Sequence, residues 1–240
     1  MLLEYFPAAA KATNYGNVPL HFACRNKSTT RGIVQLLIDA APVTLRSVNN
    51  RGDMPLHRLC RNKSIKETAA MEIAELLMEK HPEAVRHADD EGILPVHIPA
   101  GELKSPDFCR LLIEAYPGSE RIADARGALP LHYACGRGPV ATVEYFYELY
   151  PDAINRRTTC GYYPIHFAIG GLSGRDNRVP AVEIVQYLLN SDPNVKLQKH
   201  RRRSLLEYAC RYYCTIQTSK LKFMLSRLFT MHTQKRLKIS

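Results

Sequence analysis

The sequence predicts an all-α solenoid of stacked helix–turn–helix units, on three observations. The pattern Gly, two variable residues, Pro, an aliphatic residue and His occurs at Gly16–His21, Gly52–His57, Gly92–His97, Gly127–His132 and Gly161–His166. Its histidines lie 36, 40, 35 and 34 residues apart, and self-similarity near that period marks a stack of small supersecondary units. Each copy is followed by a stretch with helical apolar spacing that stops before a proline: Pro42, Pro82, Pro117, Pro151 and Pro193. Finally, ten residues separate each of the first four of these prolines from the next motif glycine, which points to one fixed connector.

Taken in order, each copy opens with a short first helix, most plainly at His132-Tyr-Ala-Cys135. Proline at the motif's fourth position suits the first helical residue, where its missing N–H costs nothing and its φ is already right. The second helices are expected at Ile33–Ala41, Ala70–His81, Phe108–Tyr116, Val143–Tyr150 and Val182–Asn190. Ile73, Leu76 and Leu77 show the i, i+3, i+4 spacing that buries one face. The prolines end these helices, because a proline interior to a helix lacks a donor and clashes with the preceding turn. The connector is expected to be extended and to turn at the glycine, where positive φ is cheap. From motif His to stop Pro the distances are 21, 25, 20, 19 and 27 residues, so insertions fall between the two helices. The longest, Gly170–Pro180, is rich in Gly, Ser, Asp and Asn and is expected to be a surface loop. It lacks the Gly-Lys-Ser/Thr of a phosphate-binding loop.

With G-x-x-P-L-H-x-A written most clearly at Gly127–Cys135 and Gly16–Cys24, the chain resembles the ankyrin repeat over nearly its whole length. The resemblance implies antiparallel helix pairs with hairpin fingers projecting from one edge, and protein binding along the fingers and inner helices. It also implies that the motif histidines are structural hydrogen-bonders at the finger bases, and that Gly16, His21, Gly52, His57, Gly92, His97, Gly127, His132, Gly161 and His166 form the scaffold. The family normally places Thr before the proline as a hydroxyl cap, whereas this chain has Val18, Met54, Leu94, Leu129 and Tyr163. Losing such a cap costs about 0.5–2 kcal/mol per helix unless another group replaces it, and packing of the apolar substitutes is expected to recover part of this.

The expected organisation is one repeat array over 1–232. It comprises a partial repeat at 1–15, full repeats at about 16–51, 52–91, 92–126, 127–160 and 161–201, a degenerate terminal repeat at 202–232 and a basic tail at 233–240. Copy three carries Pro99 inside its first helix, which predicts a short or distorted helix there, with order resuming at the cap Ser105-Pro106-Asp107. In the sixth copy Leu205–Cys210 aligns with Pro130–Cys135, with Glu207 in place of the histidine and a second helix expected near Lys220–Met231. Met1–Pro7 resembles the tail of a second helix, as if the array started mid-repeat, which leaves Leu2, Leu3 and Phe6 either covered by a preceding piece or open to a partner.

A hydrophobic content of 45% with 23% charged residues is that of a folded chain. No apolar run approaches the ~18–20 residues of a bilayer span, and the opening residues do not form a signal peptide. An intracellular protein, cytoplasmic or nuclear and not secreted, is therefore expected. Four of the seven cysteines (Cys24, Cys60, Cys135, Cys210) share one repeat position. Stacked repeats about 10 Å apart put them beyond disulfide or shared zinc reach, so they are expected to be buried thiols. The Asn26 and Asn62 sequons are then silent, and Arg51-Gly52-Asp53 is explained by the repeat turn. The net charge of +10 is local: residues 196–240 hold 12 of the 33 Lys+Arg and 1 of the 23 acids.

No repeated carboxylate or nucleophile accompanies the histidines, so neither catalysis nor a metal or cofactor is expected. By the family's pattern, partner-binding positions are Asn14, Tyr15, Asn17, Asn50, Arg51, Asp53, Asp90, Glu91, Arg126 and Tyr162 on fingers, and Arg25, Asn26, Arg61, Asn62, Glu102 and Arg137 on helices. Cys-Arg-Asn-Lys-Ser recurs at Cys24–Ser28 and Cys60–Ser64, which stacks Arg25 near Arg61 as a small basic ladder suited to carboxylates. The expected function is a non-catalytic protein–protein interaction scaffold. The alternative is binding of RNA, DNA or anionic lipid through the basic region 196–240, centred on Lys196, Lys199, Arg201, Arg202 and Arg203.

Overall fold

The computed structural model describes residues 14–101, 104–171, 179–192, 194–195, 198–200, 203–205 and 207–208. The half-repeat at Met1–Pro7, the second helix near Lys220–Met231 and most of the loop within Gly170–Pro180 lie outside these residues. The chain forms two compact units, Met1–Ala125 and Arg126–Ser240.

The first unit holds six helices: α1 Pro19–Arg25, α2 Arg31–Ala40, α3 Pro55–Cys60, α4 Glu67–Lys80, α5 His97–Gly101 and α6 Pro106–Ala115. Within it α1 packs on α2 and α3, α3 on α4 and α5, α2 on α4, and α4 on α6. The second unit holds α7 Pro130–Arg137, α8 Val140–Leu149, α9 Pro164–Gly171 and α10 Val179–Ser191. There α7 packs on α8 and α9, and α10 packs on α8 and α9. Both units are therefore layers of helix pairs, as an all-α ankyrin-type fold requires. The core is the inner face of each pair: Leu20, Leu56, Ile73, Leu76, Leu77, Phe108 and Leu112 in the first unit, and Leu131, Phe146, Ile165 and Ile169 in the second, are almost fully buried. Burying each such side chain contributes about 1.5–3 kcal/mol.

The second helices stop one residue earlier than the proline signal predicts. Ala41, His81, Tyr116 and Tyr150, each directly before a proline, have φ between −153° and −140° and ψ of 76–81°. The proline ring bars its predecessor from the helical region, so the helices end at Ala40, Lys80, Ala115 and Leu149. The same helices begin two or three residues before the first buried apolar residue, because their first turns are solvated. Caps at Thr30 and Ser105 accept from Ile33 N–H (3.4 Å) and Phe108 N–H (3.3 Å).

The connector departs from the expectation of extended chain. Pro42–Arg46, Pro82–Val85, Ser119–Arg121 and Pro151–Asn155 are short 3-10 helices, since a proline with helical φ starts a turn readily. Extended backbone occupies only the residues between that turn and the finger.

Copy three is short at its first helix, as Pro99 predicts, but the start is displaced. Pro95 and Val96 form a turn and α5 begins at His97. Pro99 is therefore the third helical residue, in the first turn, where an N–H has no acceptor within the helix.

Candidate partner-binding site

The site is built on the motif histidines. His21 lies at the third position of α1, and its Nδ1 accepts the backbone N–H of Val18, the residue that caps the helix, at 3.2 Å. The same bond recurs as Met54 to His57 (3.2 Å), Leu94 to His97 (3.1 Å), Leu129 to His132 (3.1 Å) and Tyr163 to His166 (3.2 Å). An imidazole thus does in five copies what a carboxylate does in a capping box. The sixth copy makes the substitution explicit: Glu207 accepts from Ser204 N–H at 2.7 Å while Ser204 Oγ accepts from Glu207 N–H at 3.3 Å. The hydroxyl cap missing from copies one to five is offset by the histidine, and Val18, Met54, Leu94 and Leu129 are buried.

Because Nδ1 accepts, the ring proton sits on Nε2, which donates across the stack: His21 to Asp53 O (2.9 Å), His57 to Ile93 O (3.1 Å) and His97 to Ile122 O (3.1 Å). Each of these histidines ties its own helix start to the next connector or finger. Burial pushes His21 below the ordinary histidine value and His57 to about 4, and burial together with nearby His200 takes His166 to about 4. A neutral ring is the form these bonds require.

The fingers turn by a shared device. Gly52 N–H donates to Asn49 O (3.0 Å), Asn49 N–H to Asp53 O (3.1 Å), and Asn49 Oδ1 accepts from the N–H groups of Arg51 and Asp53. This is a tight turn closed by a left-handed glycine. Asp89 repeats it for Glu91 and Ile93, and Thr158 for Tyr162. Asn49, Asp89 and Thr158, three positions before the glycine, were not singled out from sequence, although short polar side chains at that fixed offset were the signal. Consecutive fingers are joined by single backbone bonds: Asn50 N–H to Tyr15 O (3.2 Å), Asp90 N–H to Arg51 O (3.1 Å) and Ala125 N–H to Glu91 O (3.0 Å) in the first unit, and Thr159 N–H to Arg126 O (2.8 Å) in the second.

The first finger is tighter. Asn14 and Asn17 exchange backbone bonds of 2.9 and 3.0 Å, with Tyr15 at φ 51° and Gly16 at φ 73°. Tyr15 is the one non-glycine with positive φ among the described residues, and its ring is 80% exposed. Beneath it, the first two fingers and the helices α1 and α3 enclose a cavity of about 660 Å³. Tyr15, Asn17, Asn49, Asn50 and Arg51 line it from the fingers, and Arg25, Arg58 and Arg61 from the helices. Six of these eight were expected from the sequence; Asn49 and Arg58 were not.

At the cavity base Asp53 is fully buried and meets Arg58 Nη1 at 3.5 Å and Arg61 Nη2 at 3.3 Å. Arg61 also reaches Asp89 at 2.8 Å. Buried carboxylates therefore fix two guanidinium groups as wall, in the paired form that low-dielectric surroundings demand. The expected basic ladder of Arg25 and Arg61 is altered accordingly: Arg61 is committed to Asp53 and Asp89, whereas exposed Arg25 has no side-chain partner among the described residues.

Several expected contact residues are placed otherwise. Asp53 is enclosed by the arginines. Asn62 is buried and bridges two copies, donating to Cys24 O (3.0 Å) and Asn26 O (3.2 Å) and accepting from Ser64 and Ile65 N–H. Neither is open to a partner, because burial and hydrogen bonding consume both. Tyr162 stacks on His200 at 3.9 Å, so it is half-buried. Asn14, Asn26, Asn50, Arg51, Asp90, Glu91, Arg126 and Arg137 are exposed. Of the basic region, Lys199 and Arg203 are exposed; Lys196, Arg201 and Arg202, and the expected contact residue Glu102, lie outside the described residues. Among the described residues, no helix is long and apolar enough to cross a membrane, and no cluster of His, Cys, Asp and Glu is arranged to hold a metal. Cys24, Cys60, Cys109 and Cys135 are buried free thiols, and Cys160 is exposed.

A family model described as ankyrin repeat matches residues 15–48, and one described as ankyrin repeats (many copies) matches residues 131–189. Comparison with curated proteins finds no match.

Proposed function

The chain is an ankyrin-repeat protein, and from that premise we propose that it is a non-catalytic scaffold that binds another protein through its finger tips and inner helices. Ankyrin repeats generally mediate protein–protein interactions. The observation that carries the reading here is the division of labour within each copy. Glycines, prolines and histidines are consumed by turns, helix starts and cross-copy bonds, whereas exposed side chains of varied chemistry (Tyr15, Asn50, Arg51, Asp90, Glu91) stand on a fixed backbone. A surface already ordered before contact loses little conformational entropy on binding.

A photo-crosslinking residue placed at Asn50 in the full chain tests this. Covalent capture of a discrete protein at Asn50, and not at an equivalent probe on the outward position Glu75, supports finger binding. Capture only of nucleic acid, at a probe replacing Lys199, supports binding of polyanions by the basic region and contradicts the scaffold reading.

A further inference from the structure

We propose that the cavity between the first two fingers is a specific receptor for an acidic segment of the partner protein, with paired Asp or Glu carboxylates held by Arg25 and Arg51. This rests on the protein-binding reading above and names the chemistry of the segment that the fingers take.

The charge distribution carries the inference. Four arginines line the cavity and no carboxylate does. The neighbouring acids are already engaged: Asp53 faces Arg58 and Arg61, and Asp89 faces Arg61. The guanidinium groups of Arg25 and Arg51 are exposed and have no acceptor among the described residues. Arg58 Nε is a third donor without an acceptor, and it is buried. The Arg58 charge is itself paired with Asp53 at 3.5 Å, which leaves Arg25 and Arg51 as the cations open to an incoming carboxylate. Guanidinium groups are suited to this because their planar fork bonds both carboxylate oxygens.

Size and surroundings favour a peptide over a small anion or a nucleic acid. A volume of about 660 Å³ lies within the range of about 300–1,000 Å³ of pockets that take a whole small-molecule ligand, more room than a single small anion fills. The Asn50 side-chain amide makes no hydrogen bond among the described residues, and it suits the alternating donors and acceptors of a peptide backbone. One finger further along, Asp90 and Glu91 are exposed. A continuous phosphate backbone following the fingers would run onto these two carboxylates, so the positive field serves one discrete segment. Tyr15 stands at the rim, exposed and in a left-handed conformation within the first finger's turn.

The test uses the full chain and three fluorescent probes: a twelve-residue peptide alternating Glu and Gly, its Gln counterpart, and a twelve-nucleotide uridine RNA, each titrated by anisotropy at low salt. The Glu peptide binds saturably, weakens as salt is added, and binds at least about tenfold more tightly than the Gln peptide and the RNA. Arg25→Glu and Arg51→Glu each weaken Glu-peptide binding about tenfold or more with unchanged melting temperature, because neither side chain has a partner among the described residues. Lys199→Glu leaves binding unchanged. The proposal is overturned if the Glu peptide does not bind, if both reversals bind it normally, or if the RNA binds as tightly. Crosslinking at Asn50 separates the two readings: protein capture without Glu-peptide binding refutes the acidic receptor alone, whereas loss of capture refutes the scaffold.

Discussion

His21 Nε2 donates to the backbone carbonyl of Asp53 at 2.9 Å, so the side chain that opens a helix in one copy also anchors the finger of the next. His57→Ala tests the same device in the second copy. It leaves Met54 N–H without its acceptor and Ile93 O with only the Asp89 N–H bond of 3.0 Å, at a fully buried side chain. The orphaned N–H costs about 1–3 kcal/mol and the space left by the ring adds to it, so urea unfolding should show a loss of about 2 kcal/mol or more. A loss below about 1 kcal/mol would show that the histidine is not the tie described here.

The tie requires neutral imidazoles, which makes the fold acid-sensitive. His57 and His166 are held at about 4 by burial, His166 also by His200, and His21 is lowered too, against an ordinary value of 6.5. The unfolded chain therefore binds protons below pH 6.5 that the folded chain excludes. Stability from these groups is complete above pH 6.5 and is lost progressively as pH falls towards about 4. Melting temperature should decline through that window, and an NMR titration should show the His57 ring neutral at pH 5. A His57 ring that titrates near 6.5 would contradict the assignment.

Three glycines of positive φ differ in their surroundings and should differ in cost. A Cβ on Gly52 (φ 72°) would lie 2.6 Å from Asp90 Oδ1 and 2.7 Å from Asp90 N, on Gly127 (φ 76°) 3.1 Å from Thr159 N, and on Gly118 (φ 89°) near nothing. Gly118→Ala should cost only the left-handed strain, about 1 kcal/mol, with Gly127→Ala intermediate and Gly52→Ala largest. Denaturant midpoints measured on the three variants read the order directly, and equal losses would contradict the close finger approach.

Burial should also sort the thiols. Cys60 is pushed up to about 12, and Cys24 and Cys109 are raised further by desolvation. Thiolate is the reactive form, so brief alkylation of the native chain followed by mass mapping should label Cys160 and spare these three. Rapid labelling of Cys60 would show that the α3 core is open.

The sequence read the repeat well because its signals are local. Proline fixes where a helix starts or stops, and the i, i+3, i+4 spacing marks the buried face, so Leu76 and Phe108 fall where the pattern places them. The one-residue error at Ala41 and Tyr116 arose from steric pressure on the residue before proline, and the 3-10 turn at Pro42–Arg46 from proline's own φ. The site was legible only in outline. Tyr15, Arg25 and Arg51 were found because they flank the repeated Gly and His. Which arginines are free depends on long-range pairing: Arg61 is claimed by Asp89, 28 residues away, and Asn62 by Cys24, 38 residues away. Nothing in the local pattern of either residue encodes that partner.

Hydrogen exchange of the full chain with and without a captured partner tests the central claim most directly. The account predicts added protection in the first two fingers, at residues 14–17 and 49–53, and at Arg25 and Asn26 on the adjoining helix end. Protection confined to the basic region 196–240, with those fingers unchanged, would contradict it.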